Sequence, residues 1–348
     1  MIDALLGLPV LSLLLVPTLA SYGTSLNLIF FYMTWTTLVM SHDPLRVELF
    51  GTLAVRLLFY VVPSVLFFLF DILTPSAAVV VKAQGEMGLP CGSKRGKIRL
   101  RDIKVAGWAL LNLALSFAAQ AAIEELRTKV LGWRSALRVS MKLPMPWDMV
   151  KELAMGLLAR EALAYVIHRY MLHPKKTTRL AKRHRSWYHS LRAPFPLTAH
   201  YDHPLVYLMA NFIPTYVPAM VFRFHLLTYL LYLSVISLEE TFAFSGYSVM
   251  PTNFFLGGIA RRTDMHLVGD AEGNYGPWGV LDWVCGTSVG GDEEEDGDGD
   301  DEDVNGSIMG GSAPDASLEE KIRRAVEEST KRKWSERQRR MRRRRGDY

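Results

Sequence analysis

Long uninterrupted apolar runs constrain the fold of this chain more than any other feature of its sequence. Hydrophobic residues make up 49% of the chain. They gather in runs at residues 4–21, 25–40, 49–71, 105–123, 204–222 and 226–246. A helix needs ~20 apolar residues to cross a bilayer, and only helices or closed barrels satisfy their backbone polar groups within lipid. The sequence therefore predicts an all-α fold, a polytopic membrane helical bundle.

The first apolar run has the composition of a signal peptide but not its charge pattern. It carries Asp3 where a basic segment is expected, and a second apolar run follows at once. We therefore interpret residues 4–21 as a retained membrane segment. The only cysteines, Cys91 and Cys285, provide neither a disulfide framework nor the spacing of a thiolate metal site.

Composition divides the chain into three predicted parts. Residues 1–146 hold N-terminal membrane helices and an interfacial segment, and residues 147–287 form a histidine-rich membrane domain. Residues 288–348 form an acidic and then basic tail that is too polar to bury a core, so we expect it to be disordered. Residues 127–143 alternate apolar and basic positions, which favours an amphipathic helix lying in the membrane interface.

Histidines are concentrated between two of the apolar runs. The chain has nine histidines. Six lie close together in the sequence, and a seventh, His266, lies in a later polar block. The six are His168, His173, His184, His189, His200 and His203. Neutral imidazole is the commonest side-chain ligand of transition metals in proteins. The clustering predicts a metal site at the membrane surface. His42 and His225 stand alone, and we interpret them as surface or hydrogen-bonded residues.

The spacing of the first four histidines restricts how they can meet. His168 and His173 are five residues apart, which separates them by roughly 140° on an ideal helix. They converge only if His173 lies at a frayed helix end, and Pro174 favours such an end. His184 and His189 repeat this spacing within a predicted helix or turn.

The last two of these six histidines have a different spacing. His200 and His203 are three residues apart, which predicts one helical face. Nearby carboxylates, Asp202, Glu161 and Asp264, are candidates for orienting imidazoles through hydrogen bonds.

The basic residues predict the orientation in the membrane. The loop after His173 carries Lys175, Lys176, Arg179, Lys182, Arg183, Arg185 and Arg192, and Arg261 and Arg262 precede His266. Positive charge favours the cytosolic side of a membrane. Since the runs 204–222 and 226–246 return the chain to its starting side, both histidine blocks are predicted to be cytosolic, as is the tail.

Several motifs within about residues 150–287 resemble one known family. The chain reads HRYMLH, then HRSWYH, TAHYDHP and FSGY, and finally DMH followed by EGNYGPWGVLDWVCGT. This order resembles the fatty acid hydroxylase and sterol desaturase superfamily. The resemblance implies a multi-pass enzyme of the endoplasmic reticulum membrane. It also implies two irons that use O₂ and an external electron donor such as cytochrome b5 to hydroxylate or desaturate a lipid. If the ligand set is smaller than the family's, one iron is the alternative.

The resemblance carries over to named histidines. His168 and His173 match the first box, His184 and His189 the second, His203 with His200 the third, and His266 the last. All seven are then expected to bind metal, and all but His200 to be catalytic. The chain departs from the family's paired histidines, because Tyr188 and Ser190 flank His189, Leu267 follows His266, and Thr263 and Phe244 stand where histidines are common.

These departures leave alternatives open. The first hypothesis is an iron-dependent lipid oxidoreductase whose partners are a lipid substrate, the membrane and an electron donor, and not nucleic acid. The second is a catalytically inactive lipid-binding or scaffold protein on the same fold. Histidine ligation alone also suits zinc or copper. Tyr188 is a further candidate ligand or hydrogen-bond donor, but we expect it to serve in packing.

Overall fold

The computed structural model describes residues 22–90, 98–191, 194–247, 258–268 and 273–289. Within these ranges the regular structure consists of helices and helical turns, together with isolated β-bridges. The predicted span at 4–21 and the charged tail from residue 290 onward lie outside the described residues.

The helices follow one another along the chain and are joined in places by tighter or wider turns. The α-helices are α1 (Tyr22–Ser41), α2 (Pro44–Arg56), α3 (Val62–Leu73), α4 (Pro75–Val81), α5 (Leu100–Glu125), α6 (Pro146–Val166), α7 (Arg179–Trp187), α8 (Pro204–Tyr207), α9 (Ile213–Val221), α10 (Leu226–Ala243), α11 (Gly258–Val268) and α12 (Val280–Val284). The π turns are Leu57–Val61, Leu126–Val130, Ile167–Leu172 and Leu208–Phe212, and the 3₁₀ turns are Gly85–Gly88, Tyr188–Ser190 and Pro196–Thr198.

Four helical segments in the described part of the chain are long and apolar enough to cross a membrane. They are Pro44–Leu73 with 30 residues, Leu100–Val130 with 31, and Pro204–Val221 and Leu226–Ala243 with 18 each. These segments contain or closely match the four predicted apolar runs from residue 49 onward, and α1 covers the predicted run at 25–40. The predicted all-α membrane bundle is confirmed.

A proline and a π turn shape the first of these segments. Pro63 has no backbone N–H, so the carbonyl four residues earlier, that of Phe59, loses its usual helical donor. The chain forms the π turn Leu57–Val61 just before Pro63, and the Thr241 hydroxyl lies 3.5 Å from the Phe59 carbonyl. The segment therefore continues from Pro44 to Leu73 across Pro63.

Helix α6 lies against the membrane helices and leads to the histidine region. It packs on α9 and α10, and Gly156 makes this close approach possible. A Cβ atom at Gly156 would lie 2.7 Å from the Phe224 ring, which is closer than packed atoms allow. Phe224 belongs to a buried aromatic core that includes Tyr216, Tyr229 and Tyr232.

The bundle is apolar outside and polar at several points inside. Phe30 is 73% exposed and Leu58 63% exposed, as expected of side chains that face lipid. Arg56 lies buried inside the bundle. Its guanidinium pairs with Glu240 and donates to the Ser237 hydroxyl at 3.1 Å. Ionisable groups within a membrane are kept by such pairing.

The predicted amphipathic helix at 127–143 is wrong for most of its length. The helix ends in the π turn Leu126–Val130, and Gly132 has a left-handed φ of 65°. Beyond it the backbone is held by other segments: Ala136 donates to the Glu124 carboxylate at 2.9 Å, and Arg138 donates to the Phe224 carbonyl at 2.8 Å. These tertiary hydrogen bonds replace helical ones.

Candidate metal centre

A π turn brings the first two histidines together. The turn Ile167–Leu172 extends α6, and its i→i+5 hydrogen bond runs from the His173 N–H to the His168 carbonyl at 3.0 Å. Residues five apart lie nearly above one another in such a turn. The two rings are 5.0 Å apart between centroids. The expected frayed end at Pro174 is thus replaced by an ordered wider turn.

Helix α7 and the 3₁₀ turn after it supply two more histidines. The Thr178 hydroxyl caps α7 by accepting the Ala181 N–H at 3.1 Å. His184 lies near the end of α7 and His189 in the turn Tyr188–Ser190, and their ring centroids are 5.0 Å apart. The capped helix and its final turn thus direct both rings to one side.

His266 on α11 completes the group. Its ring centroid lies 4.6 Å from that of His168. Nitrogen atoms of His168, His173, His184 and His266 all lie within 4.8 Å of one another. His189 adjoins them, with its Nε2 atom 3.3 Å from His173 Nε2. We call these five residues the histidine cluster.

Hydrogen bonds from outside fix three of the five rings. His168 Nδ1 pairs with the Tyr275 carbonyl at 2.9 Å, and His266 Nδ1 with the Gly273 carbonyl at 2.7 Å. His184 Nδ1 pairs with the Asp202 carboxylate at 2.6 Å. A carbonyl acceptor requires a donor, so His168 and His266 carry their proton on Nδ1. The opposite nitrogen then has a free lone pair.

The Nε2 atoms of these three rings are buried and have no hydrogen-bond partner. Leaving a buried polar atom unpaired costs about 1–3 kcal/mol, so three together need an explanation. An Nδ1 anchored to a carbonyl or carboxylate with a free Nε2 is the usual arrangement of a metal-binding histidine. The residues present therefore fit a transition-metal ion.

The cluster favours neutral imidazoles. Burial, reinforced by neighbouring positive charge, lowers the pKa of His173 to about 2 and those of His184 and His189 to about 3. Burial likewise lowers the pKa of His266 to about 4 and that of His168 well below its usual value. Since metal ligation requires the unprotonated ring, these side chains are ready to bind at neutral pH.

The structure does not bring His200 or His203 into this group. The two do not share a helical face, because a turn follows Pro196–Thr198 and α8 begins only at Pro204. His203 caps α8, and its Nδ1 accepts the Leu205 N–H at 3.3 Å. His200 is fully buried with its Nε2 atom 3.3 Å from a Glu240 oxygen.

The three carboxylates expected to orient imidazoles have different positions. Asp202 does hold His184. Glu161 instead accepts the backbone N–H groups of Trp278 at 2.9 Å and Val280 at 3.0 Å. Asp264 is buried, one of its oxygens has no partner, and burial raises its pKa to about 6.

Sequence reasoning missed how the loop at residues 273–279 is built. Asp282 accepts the N–H groups of Tyr275 at 2.9 Å and Gly276 at 2.7 Å, while Glu161 holds the following residues. A Cβ atom at Gly276 would lie 2.6 Å from the Glu161 carboxylate, so this close approach requires glycine. The loop thereby presents the carbonyl that orients His168. The NYG and LD motifs in the sequence indicated that this loop matters. Their structural role could not be predicted, because it depends on tertiary contacts.

The comparisons with known proteins concern this same region. A sequence model of the family described as fatty acid hydroxylase matches residues 153–287. That segment contains all five residues of the histidine cluster and the loop that orients them. Residues 153–287 belong to the fatty acid hydroxylase family.

Individual relatives are distant. The chain is 28% identical over 156 residues to Fatty acid hydroxylase ahd1 of Mycosarcoma maydis, covering 45% of this chain and 38% of that protein. It is 29% identical over 157 residues to Fatty acid hydroxylase domain-containing protein 2 of Homo sapiens, covering 45% of this chain and 44% of that protein. The match thus spans less than half the length of these relatives. No solved structure matches the chain.

The positions where the chain departs from the family pattern serve in packing or helix structure. The Tyr188 ring stacks on His184 with centroids 4.9 Å apart and an interplanar angle of 15°. The Thr263 hydroxyl donates to the Ile259 carbonyl of its own helix at 3.1 Å. Phe244 packs against Tyr188, with ring centroids 6.2 Å apart. The fatty acid hydroxylase segment thus keeps its histidine cluster with aromatic rather than histidine neighbours.

A cavity of about 160 Å³ adjoins the cluster of this fatty acid hydroxylase segment. His168, His184 and His266 line it, and so do residues of the membrane helices α9 and α10 and of the π turn before α9. The small side chains Ala164 and Ala243 contribute to its wall. The cavity therefore joins the candidate metal centre to the interior of the membrane bundle.

Proposed function

We propose that the chain is a membrane-bound, iron-dependent lipid oxidoreductase that uses O₂ to hydroxylate or desaturate a C–H bond of a lipid. The observation that carries this proposal is the set of three anchored imidazoles whose buried Nε2 atoms have no partner. Membership of the fatty acid hydroxylase family supports a lipid hydroxylase type of function. The position of the cluster beside a cavity in a membrane bundle supports a lipid substrate.

The histidine cluster would hold the metal. His168, His173, His184 and His266 form the compact group, and His189 extends it. When bound, iron would supply the oxidising power that no amino-acid side chain has. Two irons, or a single one, are consistent with this number of histidines, so the stoichiometry is a quantity to measure.

The residues of the chain itself orient the ligands and enclose the substrate. Asp202 and the carbonyls of Tyr275 and Gly273 fix the imidazole rings. The Tyr188 ring covers one face of His184 and limits access of water. The cavity aligns a lipid with the cluster, since positioning alone accounts for a large share of enzymatic rate enhancement.

The proposal also includes the partners of the chain and its location in the cell. The partners would be a lipid, the membrane and an external electron donor such as cytochrome b5. The exposed basic residues on and before α7, among them Lys176 and Lys182, offer a surface for an acidic donor. We propose the endoplasmic reticulum as the location, with the cluster and the tail in the cytosol. We further propose that residues 147–287 form the catalytic domain, which contains the family match.

One observation favours a second candidate. Thr263 and Phe244 stand at positions where histidines are common in the family that the sequence resembles. A reduced ligand set is expected of a protein that keeps the fold but binds lipid without oxidising it. Such a protein would be folded and lipid-loaded but would hold no iron.

Lipid profiling of membranes tests the proposal. Cells that express the chain are compared with cells that express His168→Ala, and Tyr188→Phe is the matched control for a change at the same site. The proposal predicts hydroxylated or desaturated lipids with the unaltered chain and the control, and none with His168→Ala. Identical lipid profiles for the chain and for His168→Ala, at equal membrane levels, would contradict it.

A further inference from the structure

The cavity has a second polar region besides the histidine cluster. His200, Tyr207, Asn211 and Glu240 also line it. Tyr207 belongs to α8, Asn211 to the π turn before α9, and Glu240 to α10, which are all parts of the predicted membrane spans. A channel for a plain hydrocarbon chain needs only apolar walls, so this polar region requires another explanation.

One carboxylate lies beside two of these side chains and accepts a hydrogen bond from one of them. Glu240 accepts the Asn211 Nδ2 donor on one oxygen at 3.3 Å. Its other oxygen lies 3.3 Å from His200 Nε2 and accepts Arg56. Both ring nitrogens of His200 and the Asn211 Oδ1 atom are buried and form no hydrogen bond within the chain. His200 is fully buried, so bulk water does not satisfy it.

The charges around this region cancel. Arg56 is paired with Glu240, and Arg160 with Glu239 at 2.8 Å. His200 adds no charge, because burial lowers the pKa of its imidazole. A phosphate, carboxylate or ammonium group would find no opposite charge free to compensate it, and burying such a group unpaired is strongly unfavourable. The polar group that fits here is uncharged.

The free atoms indicate a hydroxyl group. Asn211 Oδ1 is an acceptor, neutral imidazole offers one donor and one acceptor, and the Tyr207 hydroxyl can do either. A hydroxyl both donates and accepts, whereas an ether or ketone only accepts and leaves Asn211 Oδ1 unpaired. Such a site favours a hydroxyl over analogues that lack the hydroxyl hydrogen, because those analogues leave a buried polar atom unpaired.

We propose that His200, Asn211 and Tyr207 form a hydroxyl-binding subsite for an uncharged lipid alcohol. The inference deepens the proposed function and rests on it for the claim that the bound lipid is a substrate. Ala164, Ala243 and Pro214 contribute apolar surface to the cavity wall, against which a carbon skeleton would pack. With its hydroxyl held at the subsite, the alcohol places a C–H bond further along its skeleton beside the histidine cluster.

Measuring the affinity for matched alcohols and ethers tests the subsite without turnover. The full-length chain in lipid nanodiscs is titrated with hexadecan-1-ol and with 1-methoxyhexadecane, and separately with cholesterol and cholesteryl methyl ether. In each pair the ether carries a methyl group in place of the hydroxyl hydrogen, and the two pairs cover a flexible and a rigid skeleton. One hydrogen bond to a buried partner is worth roughly five- to tenfold in affinity, which is the expected preference for the alcohol of at least one pair.

Two variants and one control locate that preference. His200→Phe keeps a ring against Tyr60, whose centroid is 4.4 Å from that of His200, and Asn211→Leu keeps the volume of the side chain. Both are expected to lower the alcohol preference to about twofold or less, each losing a hydrogen bond. Tyr232→Phe is the control, because its hydroxyl contacts the Gly156 carbonyl at 3.4 Å outside the cavity wall. It is expected to retain the full preference.

Three outcomes would overturn the subsite. The first is equal affinity for alcohol and ether in both pairs, which would mean that only ordered water occupies the region. The second is an unchanged preference for the alcohol in both variants. The third is a loss of that preference in the Tyr232→Phe control as large as in the variants. Iron analysis of the same samples separates the two proposals. A folded chain that prefers the alcohol but holds no iron would refute the oxidation proposal and leave the hydroxyl subsite standing.

Discussion

The histidine cluster and the buried ion pairs of the membrane bundle differ in how their polar groups are satisfied. Within the bundle, Arg160 donates to Glu239 through three contacts of 2.8–3.0 Å, so both charges are compensated. In the cluster, the Nε2 atoms of His168, His184 and His266 are held together without partners. Polar groups that serve stability are paired within the chain, whereas those that serve binding are left for a ligand. The predictions below test this difference.

The largest effect is expected in the bundle. Glu239→Ala leaves the Arg160 guanidinium buried without a counter-charge, and breaking a buried pair in this way costs about 3–5 kcal/mol. Unfolding of the purified metal-free chain by SDS in mixed micelles measures the loss. His173→Ala in the cluster is the comparison, and we expect it to cost about 1 kcal/mol or less because His173 is partly exposed.

Removing both charges sharpens this comparison. Arg160→Met combined with Glu239→Leu is expected to recover most of the lost stability, since a buried pair is often replaceable by apolar residues. If Glu239→Ala were as mild as His173→Ala, the pairing within the bundle would not be a source of stability. The contrast between the two regions would then fail.

The next effect concerns the orientation of a cluster histidine. Asp202→Asn keeps the shape of the side chain that holds His184 but replaces its carboxyl group with an amide. Loss of such an outer partner typically lowers metal affinity about 10- to 100-fold. Competition with a calibrated chelator measures this affinity for Fe²⁺. Asp148→Asn, at an exposed carboxylate on α6, is the control, and an affinity for Asp202→Asn equal to that of the control would contradict the role of Asp202.

The pH dependence of stability follows from the lowered pKa values in the cluster. Histidine has an ordinary pKa of 6.5, whereas those of His173 and His184 in the folded chain are about 2 and about 3. Between these values each histidine binds more protons in the unfolded chain, so its contribution to stability falls as the pH falls below about 6.5. SDS unfolding of the metal-free chain between pH 7.5 and pH 4.5 measures the slope. His173→Gln is expected to flatten it, and an unchanged slope would show that His173 does not contribute.

The smallest effect is expected at Tyr188. Its ring packs on His184, and its hydroxyl is not needed for that contact. Tyr188→Phe should therefore leave the affinity for Fe²⁺ unchanged within about twofold, since aromatic packing is retained. The same chelator competition measures it. A loss of tenfold or more would identify the hydroxyl as a metal ligand.

The membrane helices could be predicted from the sequence because lipid imposes a simple rule of length and apolarity. That rule identified the four spans from residue 49 onward. It failed at residues 127–143, where the alternation of apolar and basic residues suggested a helix. The hydrogen bonds from Ala136 to Glu124 and from Arg138 to Phe224 that replace the helix join distant segments, and no local pattern reports them.

The candidate site was only partly predictable for the same reason. Composition and motif order identified the histidines, five of which the structure brings together. The wider turn at Ile167–Leu172 could not be foreseen, since spacing alone suggested a frayed end. Nor could spacing separate His200 from the cluster, because His200 lies in a turn and contacts Glu240 of α10, which is distant in the sequence.

The metal content per chain decides whether the histidine cluster holds iron. Elemental analysis is made on the detergent-purified chain, expressed with added iron, and on the double variant His173→Ala, His266→Ala. We expect one or two irons bound to the unaltered chain and none to the double variant, with both proteins folded. A folded, lipid-loaded chain without metal would refute iron binding by the cluster and favour the inactive lipid-binding alternative.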